Sequence, residues 1–134
     1  MTAQIKDRLF YKEKNYGMAT EPLHSFLKDR KDIDFSFRST ACWRGYIGQW
    51  KIKEKKLYLI HLQGWVKKEG EVDLSYLFPD QNKVFASWFS DDIILPHGEL
   101  IKYVHMGYAS IFEKDLILSF KNGVLIDERI IDNR

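Results

Sequence analysis

Five side chains carry most of the chemistry that this chain can bring to one place: Arg44, Tyr46, His61, Tyr103 and His105. A guanidinium is a rigid fork of donors suited to a carboxylate or phosphate. Imidazole changes charge near neutral pH. Tyrosine offers an apolar ring with a polar tip. Gathered together, they make a pocket for a small, partly anionic or aromatic ligand. Arg44, His61 and His105 alone would be the working set of a small enzyme. Other catalytic signals are thin. The chain has no glycine-rich phosphate loop, no G-x-S-x-G, no H-E-x-x-H and no paired cysteines. His97, Glu99 and His105 match no common metal-ligand spacing, and no cofactor is implied. Cys42 could act as a nucleophile with a histidine base. A buried, inert thiol explains it more simply. Trp88-Phe89-Ser90-Asp91-Asp92 places acids after aromatics, as a recognition loop or a solubilising turn would.

The elements that must position these groups show an internal match. Gly48–Gly64 and Gly107–Gly123, 59 residues apart, share Gly, Ile, Glu-Lys, Leu, Leu and Gly at equivalent places. The pattern predicts a duplicated meander: strand, charged turn, strand, glycine turn. With Lys55 and Lys56 as the turn, Ile52 faces Leu59 and Trp50 faces His61. Side chains alternate, so Arg44, Tyr46, Gly48, Trp50 and Ile52 share a face with Leu57, Leu59 and His61. The second copy, with its turn at Lys114-Asp115, aligns Tyr103, His105 and Ile111 with Leu116, Leu118 and Phe120. Each copy is apolar near its turn and polar farther away. Ile52, Leu59, Ile111 and Leu118 are the expected core. If the opposite face, with Trp43, Ile47, Val104, Met106 and Tyr108, is the buried one, Arg44 and His105 are ordinary surface residues.

Elsewhere, Ile5–Tyr11 reads as a short strand running into a turn at residues 13–17. Thr20 is placed to cap a helix from about Glu21 to Arg30 with a Leu23, Phe26, Leu27 stripe. Ile33, Phe35 and Phe37 alternate with polar residues, as in a half-buried strand. Trp43–Lys53 and Leu57–Leu62 form a hairpin. Val72, Leu74, Tyr76 and Phe78 alternate as in a strand, but Leu74, Leu77 and Phe78 also fit a short helix starting at Asp73, which is the preferred reading, and residues 79–82 form a turn. Strands are expected at Val84–Phe89 and Ile93–Leu95, with a turn at Pro96-His97-Gly98. Leu100–Phe112, Leu116–Phe120 and Val124–Ile131 follow, the last two joined by Asn122-Gly123, a strong hairpin signal. The sum is one mainly β domain over residues 1–134: an antiparallel barrel or closed sandwich of about eight strands with one short N-terminal helix.

Gly48-Gln49-Trp50 resembles the G-x-W that opens the first barrel strand of lipocalins. That resemblance implies a barrel, with a basic residue near the C-terminus, here Arg129 or Arg134, packed on the tryptophan. The N-terminal segment before it, with its helix, departs from that family.

Composition bounds the function. Hydrophobic residues make up 45% and aromatics 15%, enough to build a core. A net charge of +2 points to no polyanion, so nucleic acid is not an expected partner. No apolar run reaches the length of a membrane span, and one cysteine suits the cytoplasm. Three functions fit: a non-enzymatic binder of a small molecule, a protein-interaction module of inhibitor or immunity type, or a small enzyme. An empty interior would favour the first. A filled core with an exposed aromatic patch would favour the second, which would use the charged hairpin tips.

Overall fold

A computed structural model describes residues 3–36 and 41–134. Nine strands and two short helices follow one another as β1 (Asp7–Tyr11), β2 (Lys14–Met18), α1 (Leu23–Leu27), β3 (Tyr46–Lys53), β4 (Lys56–Val66), β5 (Gly70–Asp73), α2 (Leu74–Leu77), β6 (Val84–Phe85), β7 (Asp92–Lys102), β8 (Ile111–Lys121) and β9 (Val124–Asp132). The strands form one mixed sheet in the order β2-β1-β3-β4-β9-β8-β7, with β5 and β6 also on β4. The pair β1–β3 is parallel, Leu9 lying beside Trp50. A parallel pair needs a long crossover, and residues 19–45 with α1 supply it.

Three tight turns set the registers. Lys12-Glu13, Glu54-Lys55 and Asn122-Gly123 all have positive φ at both central residues, the mirror-image turn that matches strand twist. The first hairpin, β1–β2, corrects the expected turn at residues 13–17: the turn is Lys12-Glu13, and Lys14–Met18 is strand. The second turn lies one residue earlier than expected, so Ile52 faces Leu57 and Trp50 faces Leu59.

The sheet does not close into a barrel, and it is not wholly antiparallel. β9 meets β4 at one pair, Lys56 and Val124, because β4 begins there and β9 runs on past the Glu54-Lys55 turn. At the other end β2 and β7 share no ladder. One main-chain bond, from Ala19 N to Ile94 O at 2.8 Å, joins the two sides. Thr20 does not cap α1. Its Oγ1 accepts from Ile94 N at 3.0 Å, and α1 starts after Pro22 without a side-chain cap. The second helix does follow Asp73, whose carboxylate accepts from Ser75 N at 3.0 Å.

The duplicated meander is not seen. Its first copy is the β3–β4 hairpin. In the second, β8 runs unbroken through Lys114 and Asp115. The expected turn at Pro96-His97-Gly98 is also absent, because β7 continues through it with shifts in register. Proline has no N–H to lose on an edge strand, and β7 pairs only with β8. Phe35 bridges Val66, and the expected strand continues to Phe37, outside the described residues.

The interior is filled. Leu9, Met18, Leu23, Trp50, Leu57, Leu59, Leu62, Ile93, Leu95 and Leu118 have almost no exposed surface and pack as one cluster. Each such side chain stabilises the fold by about 1.5–3 kcal/mol relative to leaving it exposed. Leu59 and Leu118 meet their expectation as core, and Ile52 packs against them half-buried. Ile111 is exposed, because it lies opposite Lys102 at the irregular end of the β7–β8 pair.

Candidate functional site

The one buried charged residue among those described is Asp7, on β1 between Lys6 and Arg8. It shares the inward face of β1 with Leu9 and Tyr11. Every partner it needs comes from the crossover and from β3. Arg44 Nη2 donates to its Oδ1 at 2.6 Å and Gly48 N at 2.9 Å, and Trp50 Nε1 donates to its Oδ2 at 3.0 Å. The second Arg44 amino group, Nη1, donates to the carbonyl of Ile5 at 2.8 Å. The side chain of Arg44 is 9% exposed and that of Asp7 0%. Burial pushes the Asp7 carboxyl above its ordinary value, while Arg44, the Gly48 amide and the Trp50 indole pull it back.

This network gives G-x-W its physical reason. A Cβ at Gly48 would lie 2.9 Å from Trp50 Nε1 and 3.1 Å from Asp7 Oδ2, so a side chain there would press on both hydrogen-bonding groups. The contact implied by lipocalin resemblance is not made. Arg129 bonds Ser119 and Asp92, and Arg134 bonds Glu99. Trp50 instead meets Trp88 edge-on at 6.5 Å. Asp7 was missed from sequence because one acid in a short strand looks solvated. The available signal was its place on the same alternation as Leu9 and Tyr11.

Arg44 and Tyr46 are brought together, with the guanidinium 5.2 Å from the ring centre. Around them lie Phe35, 5.2 Å from Tyr46 between ring centres, and the Tyr108–Glu21 pair, whose hydroxyl donates at 2.8 Å. Burial raises the Tyr46 phenol far above its usual range. Arg44 Nε and Tyr46 Oη are buried with no hydrogen-bond partner among the described residues.

The other three expected residues lie elsewhere on the surface. A bulge between Gln49 and Trp50 inserts Ile60 as an extra residue in β4. It turns Leu62 inward and His61 outward, reversing the expected face for His61. His61 lines a cleft of about 510 Å³ with Gln63, Glu71, Asp73, Ser75 and Tyr76. Tyr103 and His105 stack edge-on at 4.3 Å on the exposed loop after β7. Of the three clefts described, only this one touches any of the five residues.

Remaining candidates have structural partners. His97 Nδ1 lies 3.1 Å from Leu95 O, and Glu99 pairs with Arg134 at 2.6 Å. Among the described residues no three His, Cys, Asp or Glu groups are placed to hold a metal ion. Cys42 is buried, with its thiol 3.6 Å from the Tyr46 carbonyl. Trp88 donates to Pro22 O at 2.9 Å and stacks on Phe78 at 6.0 Å, so it anchors α1.

One end of the molecule is different. Leu100, Ile101, Tyr103, Met106 and Ile111 are all exposed, Tyr103 at 52% and Met106 at 53%. All lie at the end of the β7–β8 pair or on the loop joining the two strands. That loop is tied down: Val104 N donates to Ser110 Oγ at 2.9 Å, and Gln4 N to Gly107 O at 2.9 Å. No described helix is long and apolar enough to cross a membrane. The architecture defines an open, mixed β sheet wrapped around a packed core. No protein-family model, curated protein or solved structure matches this chain.

Proposed function

We propose that this chain is a protein-interaction module that docks a partner on the end formed by residues 100–111. The observation that carries this reading is the contrast between a filled interior and the apolar side chains left outside at that end. Aromatic and methionine side chains on a pre-ordered loop are the usual anchors of an interface, because little entropy is lost when they are covered. Lys102 makes no ion pair with a described residue, and Lys6 lies over Phe112 at 5.2 Å. The partner is therefore a protein with apolar anchors and a carboxylate-bearing rim. The lone, buried cysteine suits a cytoplasmic setting.

The test is photo-crosslinking from position 103, with position 53 as control, followed by titration of the purified captured protein. Tyr103→Ala with Met106→Ala should weaken binding at least about tenfold. Their melting temperatures should not change. Undiminished binding by that double variant would remove the proposal.

A second reading, binding of a small molecule, rests on the cleft that His61 lines. Its acids, Glu69, Glu71 and Asp73, beside Tyr76, suit a cationic ligand. Ligand-detected NMR with a panel of amines, repeated on His61→Ala and Tyr76→Ala, would support it only if both variants lose binding.

A further inference from the structure

β9 pairs with β8 from Val124 to Asp132 except at Ile126, but its other edge meets β4 at Val124 alone. Past Leu125, which donates to Lys55 O at 2.7 Å, every second residue of β9 turns its main-chain groups away from β8 with no strand among the described residues to receive them. Such an edge is a template for another strand. On it, Ile126 is 63% exposed and Ile130 62%.

The order of residues on this edge is symmetric. Reading Ile126-Asp127-Glu128-Arg129-Ile130 outward from Glu128 gives an acid on one side and a base on the other, then an isoleucine on each side. We infer that the open edge of β9 pairs antiparallel with β9 of a second copy of this chain, centred on Glu128. That register sets Asp127 against Arg129 twice and Ile126 against Ile130 twice. Arg129 already reaches Asp127 at 3.5 Å and Asp92 at 3.3 Å with its side chain half exposed, so it can turn to the facing strand. The one like-charge pair is Glu128 against Glu128. Each carboxylate accepts from Tyr11 Oη at 2.6 Å and from Lys12 Nζ at 3.3 Å, so neither is bare. The bulge that places Ile126 between Leu125 and Asp127 limits the paired run to these five residues. The docking end at residues 100–111 plays no part, so either proposal can fail without the other.

The experiment is analytical ultracentrifugation of the full chain and of two single variants, Asp127→Arg and Arg129→Asp. Wild type should sediment as a dimer, at twice the 15.9 kDa chain mass. Each variant puts like charges together at both symmetric places, and should dimerise at least about tenfold more weakly. An equimolar mixture should recover the dimer, because one copy then offers two acids to two bases. Glu128→Gln should tighten association. Misfolded variants could not be rescued by mixing, so recovery separates lost pairing from lost folding. A monomeric wild type, variants that dimerise like wild type, or a mixture that stays monomeric would each overturn the inference.

Discussion

Replacing Asp7 with alanine tests the account of the buried network most sharply. The substitution removes the acceptor for three donors and leaves the Arg44 guanidinium, 9% exposed, without its counter-charge. A buried ion pair contributes little net stability, since desolvation offsets the attraction. Removing one partner is different, because the other charge stays buried. That costs about 3–5 kcal/mol. Urea unfolding followed by the fluorescence of the four tryptophans should show it. With a slope of about 2 kcal/mol per molar urea, the midpoint should fall by roughly 2 M. Arg44→Met should lose a similar amount, since it strands the carboxylate. Asp7→Ala combined with Arg44→Met should lose less than the sum of the two single changes, with a coupling of about 1–3 kcal/mol. An Asp7→Ala loss under about 1 kcal/mol, or strict additivity of the two changes, would refute the reasoning.

Other outcomes are expected. Gly48→Ala should destabilise by about 1–3 kcal/mol in the same unfolding assay, because its Cβ would press on Trp50 and Asp7. Leu59→Ala should cost about 2–5 kcal/mol, whereas Ile111→Ala should stay near 0.5 kcal/mol, reversing the equal weight that the sequence gives them. The Tyr11 hydroxyl, and then Lys12, hold the Glu128 carboxyl below its ordinary 4.5. Its stabilisation is therefore full above that value and lost as pH falls through the lowered one. The stability gap between wild type and Tyr11→Phe should be present at pH 7 and vanish in acid titration; a gap that persists would argue against the bond.

Local signals were legible where one residue type decides a conformation. Asn122-Gly123 fixed a hairpin, Asp73 began a helix, and the alternation through Trp50, Leu57 and Leu59 marked the inward face. Long-range choices were not. The bulge at Gln49 and Trp50 has no sequence signature, yet it decides that Leu62 is core and His61 is surface. The apparent repeat misled because a charged Glu-Lys pair forms the centre of a turn in one place and mid-strand residues in the other. Arg44 and Tyr46 were marked as a pair from their register, but Asp7 lies 37 residues before Arg44, across the crossover, beyond the reach of periodicity.

The Glu54-Lys55 tip acts as a ruler. β4 starts one residue after it, and β9 continues from Ile126 to Asp132 beyond that point. At about 3.3 Å per residue, seven residues leave an open length of roughly 23 Å. Lengthening the β3–β4 hairpin at its tip by a few residues on each strand would lay new ladder along that gap, and no core side chain would need to change. The extent of the β4–β9 ladder thus depends on the length of a solvent-exposed turn, where chains accept extra residues most readily.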